Sequence, residues 1–288
     1  MPVTQTESTV QLIHPKGSSV EILLYGATVV SWKSASVKGA ASPVERLFVS
    51  SKSFLDGSKP VRGGIPICFP IFGPPQREEH SKLSQHGFAR SEVWTFDRVL
   101  LDDDAGVSVK LVLNPSPAAT AKFPNPFKLS YVVTLAEHQL STDLHVENPG
   151  PSTLTFQALL HTYHRGPAQL AAVTPLKGLT YIDKVRDAGR FTEDREAVDV
   201  HKFTDSVYVD APGKYHIGWE GADTVEIKSK NFNDVVVWNP GPVAGGKLAD
   251  MEEKGWDNFI CVEPGTASYF VDLEASKSWI GQQVITIL

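Results

Sequence analysis

Two side chains in this sequence pair proton chemistry with the end of a strand-like run. His161 follows Leu154-Thr-Phe-Gln-Ala-Leu-Leu160, and Glu263 ends Phe259-Ile-Cys-Val262 directly before Pro264-Gly265. Pro264 restricts Glu263 to an extended conformation, so the carboxylate is held rigidly where an apolar strand leaves its sheet. A carboxylate so placed can act as a general base, and an imidazole, with a reference pKa of about 6.5, can act as acid or base near neutral pH. Each also has a plain structural reading: a hydrogen-bonded rim histidine and a solvated turn glutamate. His164 lies three residues beyond His161. On a strand that spacing puts the two rings on opposite faces, with His161 sharing a face with Leu159 and Tyr163, so no histidine-based metal centre is expected.

A second group lies between Arg62 and Arg90. The run from Arg62 to Pro75 holds four prolines and three glycines in fourteen residues, which excludes a helix or a central strand. Yet Ile65, Ile67, Phe69, Ile71 and Phe72 are too apolar for a solvated loop. Irregular backbone that buries large side chains builds a wall, and an arginine stands at either end of it. Gln85 and His86 lie just before Arg90. Two guanidiniums beside an apolar wall suit a small anionic ligand; the alternative is a rigid core loop with two surface arginines. Asp205, ahead of a short strand, offers a hydroxyl acceptor or a turn cap, and Trp238 a stacking face for a sugar or a core aromatic.

The elements that must position these residues read as strands throughout. Val107, Val109, Leu111 and Leu113 alternate with period two, as do Leu140, Leu144 and Val146. Similar runs recur from Thr9–His14 to Gln282–Leu288, including Arg46–Val49 and an unbroken Leu154–Tyr163, separated by turn clusters such as Asn148-Pro-Gly-Pro151. Helical patterning is confined to short pieces at Ser51–Leu55 and Asp250–Gly255. About sixteen antiparallel strands need two packed sheets, so an all-β fold is expected, a large antiparallel β-sandwich formed as one domain over residues 1–288.

With 288 residues, 41% of them hydrophobic, the chain can bury a large core. A net charge of −6 without long charge runs argues against nucleic acid and anionic membranes as partners. Cys68 and Cys261 sit in apolar surroundings and read as reduced core thiols. The N-terminus from Met1 lacks a basic segment followed by an apolar one, and no apolar run approaches the roughly 18 residues of a membrane span, so a cytoplasmic monomer is expected. Walker, Rossmann, zinc and nucleophile-elbow motifs are absent, and no cofactor is expected.

Together the motifs resemble the aldose 1-epimerase-like family, in its branch of hexose-6-phosphate mutarotases. Carrying the resemblance are Arg62-Gly-Gly-Ile-Pro66 with Phe69-Pro-Ile-Phe-Gly73, Gln85-His-Gly-Phe-Ala-Arg90, Leu159-Leu-His-Thr-Tyr163, Thr204-Asp-Ser-Val-Tyr208, Val237-Trp-Asn-Pro240 and Val262-Glu-Pro-Gly265. They occur in family order across nearly the whole chain. The resemblance implies a galactose-mutarotase-like supersandwich and a cofactor-free interconversion of the α and β anomers of a hexose 6-phosphate, glucose 6-phosphate first among them. It assigns the acid role to His161, the base role to Glu263, and substrate contacts to Arg62, Gln85, His86, Arg90, Asp205 and Trp238. Gly241 departs from the pattern, which has a bulkier residue there. A non-catalytic sugar-binding module and a mutarotase for unphosphorylated aldoses are the alternative readings.

Overall fold

A computed structural model describes residues 2–37 and 42–288; Met1, where the N-terminal reading begins, lies outside them. The chain opens with a five-stranded antiparallel meander formed by Val3–Gln5, Thr9–Ile13, Ser19–Leu23, Thr28–Ser34 and Val44–Glu45. An eight-stranded sheet follows, ordered Ala172–Thr174, Lys214–Gly218, Val225–Lys230, Ser278–Ile287, Gln139–Glu147, Lys128–Leu135, Gly106–Leu113 and Thr95–Asp103. In Gln139–Glu147 every second side chain from Leu140 to Val146 is buried, as its alternation requires. A second eight-stranded sheet runs from Gly189–Thr192 through Thr180–Asp183, Thr204–Tyr208, Asp234–Asn239 and Phe259–Gly265 to Leu159–Leu160 and Ile67–Cys68, with Tyr163–Arg165 also pairing to Phe259–Gly265. The all-β sandwich is therefore as expected.

The strands at the centre of this second sheet position the site. Phe259–Gly265 is buried along its whole length, so both its faces are covered. Ile260 and Val262 point into the main core with Val235 and Val237. Cys261 and Glu263, alternating with them, share the other face with Val236 and Trp238.

The unbroken strand expected over Leu154–Tyr163 is instead three pieces, Leu154–Phe156, Leu159–Leu160 and Tyr163–Arg165. Leu159 pairs with Gly265 and Tyr163 with Cys261, which is one continuous register. The ladder lapses between them, opposite Pro264, which has no N–H to donate. His161 N–H donates instead to the Pro66 carbonyl at 3.0 Å. That register still sets His161 opposite Glu263. Arg46–Val49 also forms no strand, only isolated bridges at Leu47 and Val49. The helical pieces expected at Ser51–Leu55 and Asp250–Gly255 do not form, the first being irregular after a turn at Ser51–Lys52 and the second a set of turns leading into a 3₁₀ turn at Gly255–Asn258; α-helical turns form instead at Pro117–Lys122 and Gly241–Gly245. None of the helices among the described residues is long and apolar enough to cross a membrane.

Candidate active site

A cavity of about 600 Å³ opens on the face of the sheet that carries Glu263. All eight site residues expected from the sequence line it: Arg62, Gln85, His86, Arg90, His161, Asp205, Trp238 and Glu263. His161 Nδ1 and Glu263 Oε1 face each other across the two strands at 3.3 Å, with His161 only 7% and Glu263 1% exposed. His161 stacks on Tyr163 with ring centroids 4.8 Å apart and meets Trp238 edge-on, which fixes the plane of the imidazole. Among the described residues neither Glu263 oxygen has a hydrogen-bond partner, nor has His161 Nδ1. Burial pushes the Glu263 carboxyl well above its ordinary value, and repulsion from Asp205 adds to this. Burial likewise pulls His161 well below its own, helped by Arg90, Arg62 and Lys184. Both groups are thus driven towards neutrality, where a proton moves between either of them and a ligand at little electrostatic cost.

The wall between Arg62 and Arg90 contributes Phe72, Gly73 and Pro74 to the cavity, whereas Ile65, Ile67 and Phe69 go into the main core. Gly73 N–H donates to His86 Nδ1 at 3.1 Å, so the ring carries its proton on Nε2. Burial holds His86 well below its ordinary value, and the ring is therefore a neutral donor.

The two arginines are not equivalent. Arg62 Nε lies 3.2 Å from Asp250 Oδ1, and its Nη1 donates to the Tyr163 hydroxyl at 3.3 Å. Arg90 spends one Nη2–H on the Gln85 carbonyl at 2.9 Å, while its buried Nε–H has no partner among the described residues.

A third cation, Lys184, was not signalled by the sequence. It follows the strand Thr180–Asp183, and its backbone N–H donates to the Asp205 carbonyl at 2.9 Å. Its Nζ sits 4.1 Å over the Phe72 ring and 4.0 Å from Asp205 Oδ1. A lone lysine in a polar turn has no spacing that marks it. Gly241 is explained locally: its φ is +59°, and a Cβ would lie 3.0 Å from Phe203 N; Leu248, and not Gly241, lines the cavity.

Two further residues of these strands do not line the cavity. His164 points away from the cavity and is buried, in keeping with the face parity of the sequence. Cys261, two residues before Glu263, shares its face, and the thiol, His161 and Glu263 offer donor atoms within 4.8 Å of one another. The i, i+2 spacing of Cys261 and Glu263 on one strand is the sequence signal for this shared face.

The aldose 1-epimerase family profile matches residues 8–286. A relative from Cenchrus ciliaris named "Putative glucose-6-phosphate 1-epimerase" is 30% identical over 271 residues, covering 91% of this chain and 79% of the relative. A crystal structure from Salmonella typhimurium described as a "putative mutarotase" superposes with a TM-score of 0.86 at 26% identity, covering 99% of this chain and 92% of that one. A galactose mutarotase related enzyme from Lactobacillus acidophilus shares the fold at 17% identity, with a TM-score of 0.73 over 99% of this chain and 96% of its own.

Proposed function

The chain belongs to the aldose 1-epimerase family and is an isomerase, and on that premise we propose that it interconverts the anomers of a hexose 6-phosphate, glucose 6-phosphate above all. The observation that carries this reading is the His161–Glu263 pair, 3.3 Å apart in a cavity lined also by Arg62, Arg90 and Lys184. Opening the hemiacetal takes a proton from the O1 hydroxyl and gives one to the ring oxygen. Glu263 accepts the first and His161 supplies the second. Rotation about C1–C2 then presents the other aldehyde face, and closure runs with the proton roles exchanged. Positioned proton transfer of this kind contributes about 10²–10⁴-fold.

The substrate's phosphate makes the pair competent. Burial, and after it the three cations, oppose protonation of His161; a phosphate dianion seated among the cations removes their share, and the proton of the neutral Glu263 carboxyl passes to the imidazole 3.3 Å away, leaving a carboxylate base and an imidazolium acid. Arg90, with an unpartnered Nε–H, and Lys184 are its principal ligands, while Arg62 is shared with Asp250. Asp205 and the Gln85 amide, whose Nε2 lies 3.3 Å from His86 Nε2, face the sugar hydroxyls, and Trp238 a ring face.

The test follows anomerisation of freshly dissolved α-glucose 6-phosphate beside α-glucose by polarimetry. Acceleration of the phosphorylated sugar by at least about tenfold more in kcat/KM is expected, equivalent to about 1.4 kcal/mol of phosphate recognition. Equal rates for both sugars would remove the phosphate from the reading, and no acceleration of either would remove the reaction.

A further inference from the structure

The acid–base pair has a third neighbour that proton transfer does not use. Cys261 is fully buried beneath it, and its sulfur, His161 Nδ1 and a Glu263 oxygen all lie within 4.8 Å of one another. We propose that these three side chains form an inhibitory site for a thiophilic divalent cation, Zn²⁺ or Cd²⁺, which on binding takes both proton-transfer groups out of action.

Geometry is the first support. His161 Nδ1 and Glu263 Oε1 are 3.3 Å apart, yet neither finds a hydrogen-bond partner. The two atoms do not satisfy each other, so both remain available to a shared ligand. With Zn–N of about 2.0–2.1 Å and Zn–O of about 2.0–2.2 Å, the edge of a tetrahedral zinc site is about 3.3–3.5 Å, so the nitrogen and oxygen already stand at ligand spacing. Zn–S of about 2.3 Å sets sulfur about 3.6 Å from either, and the thiol has at most about 1.2 Å to close.

Donor chemistry is the second. Nitrogen, sulfur and carboxylate oxygen make a set that suits zinc and cadmium and not magnesium or calcium, which require oxygen cages. His161 and Glu263 line the cavity, which gives the ion a route to two of its three ligands, and a three-residue donor set leaves a fourth position for a water. Binding displaces the thiol proton and the proton of the neutral Glu263 carboxyl to solvent, and uses the lone pair of neutral His161. Arg62, Arg90 and Lys184 line the same cavity and repel a loosely held dication, so only an ion that bonds covalently to sulfur gains enough to stay.

The second free cysteine, Cys68, is a built-in control, because it is equally buried and lies outside the cluster. Parent, Cys261→Ala and Cys68→Ala proteins, first dialysed against a chelator, are titrated with ZnCl₂ or MgCl₂ in the glucose 6-phosphate assay, each referred to its own turnover. CdCl₂ titrations without substrate are followed by the ultraviolet sulfur-to-metal charge-transfer band. Chelation is expected to leave parental turnover intact, Zn²⁺ to inhibit it and Mg²⁺ not. Cys261→Ala should raise the half-inhibiting Zn²⁺ concentration by at least about 10- to 100-fold, the loss usual when even an outer partner of a metal site is removed. The cadmium band should appear in parent and Cys68→Ala and vanish in Cys261→Ala. A band that persists without Cys261, or Zn²⁺ inhibition equal in parent and Cys261→Ala, overturns the site. Because the cadmium titration contains no sugar, it decides the matter even if the hexose 6-phosphate reading fails.

Discussion

A buried carboxyl beside a buried imidazole is a poor way to stabilise a fold. Glu263 has 1% exposure and, among the described residues, no hydrogen-bond partner for either oxygen, an arrangement that costs desolvation energy and returns little. Glu263→Gln keeps the shape and removes the ionisable group. We expect it to match or exceed the parent's thermal midpoint while kcat falls by about two to four decades; His161→Ala should lose as much, and the double variant little more than the worse single. A folded Glu263→Gln protein with near-parental kcat would end the proposed base role. The cations divide differently. Arg90→Met and Lys184→Met each remove a hydrogen bond to a charged group, about 1.5–3 kcal/mol, and should lower kcat/KM for glucose 6-phosphate by about 10- to 150-fold. Turnover of glucose should barely change. Arg62→Met also strips Asp250 and the Tyr163 hydroxyl of their partner, so it is expected to depress both sugars. Equal losses on both sugars in all three variants would place the phosphate elsewhere.

The irregular wall holds its shape through backbone contacts that tolerate no side chain. Gly87, between His86 and Phe88, has a φ of +72°, and a Cβ there would lie 2.1 Å from the Phe69 carbonyl oxygen. Gly17, in a surface turn at φ +93°, would meet nothing within 4 Å. Gly17→Ala should therefore cost about 1–2 kcal/mol of backbone strain alone, and Gly87→Ala more than about 3 kcal/mol, with a raised KM as His86 shifts. Urea midpoints for the pair check this; equal losses would mean that the wall yields freely. The same contrast explains what the sequence could reveal. Strands buried on one face, such as Gly106–Leu113 and Gln139–Glu147, advertise themselves by alternation. The hairpin Thr180–Asp183 with Gly189–Thr192 has no fully buried residue and no apolar alternation, so nothing in the sequence marks either strand or the Lys184 that follows the first. The helical turn Pro117–Lys122 did carry signals, Ser116 capping Ala119 N–H at 3.1 Å with proline following, but it is too short to show a period. Glu263 and His161 were legible because proline and strand ends mark chemistry; that they oppose each other depends on a register between segments a hundred residues apart.

At the scale of the molecule, one apolar cluster runs from Val10 to Ile287 and draws on every sheet, and we propose that residues 1–288 unfold as a single cooperative domain. Its pH response should be set by buried histidines. Burial holds the His164 imidazole down to about 3, and His86 and His161 are held well below their ordinary value. In the unfolded chain each titrates near about 6.5, so below that pH the unfolded state binds protons that the native state refuses. Stability is therefore full above about 6.5 and is lost as pH falls towards the native values, by up to about 1.4 kcal/mol per pH unit for each histidine. Glu263 acts in the opposite sense. Its native value is raised, so the proton it keeps returns stability on acidification down to about 4.5, its unfolded range, and offsets the contribution of His161. His164 has no such partner and points away from the cavity, which isolates its share. Urea unfolding at intervals between pH 6.5 and pH 4 should show a steep decline in the parent. His164→Leu removes the titrating group, and whatever its repacking costs at any one pH, its decline should be shallower by about 1.4 kcal/mol per pH unit. Parallel declines in the two proteins would mean that carboxylates, and not this buried imidazole, govern acid unfolding.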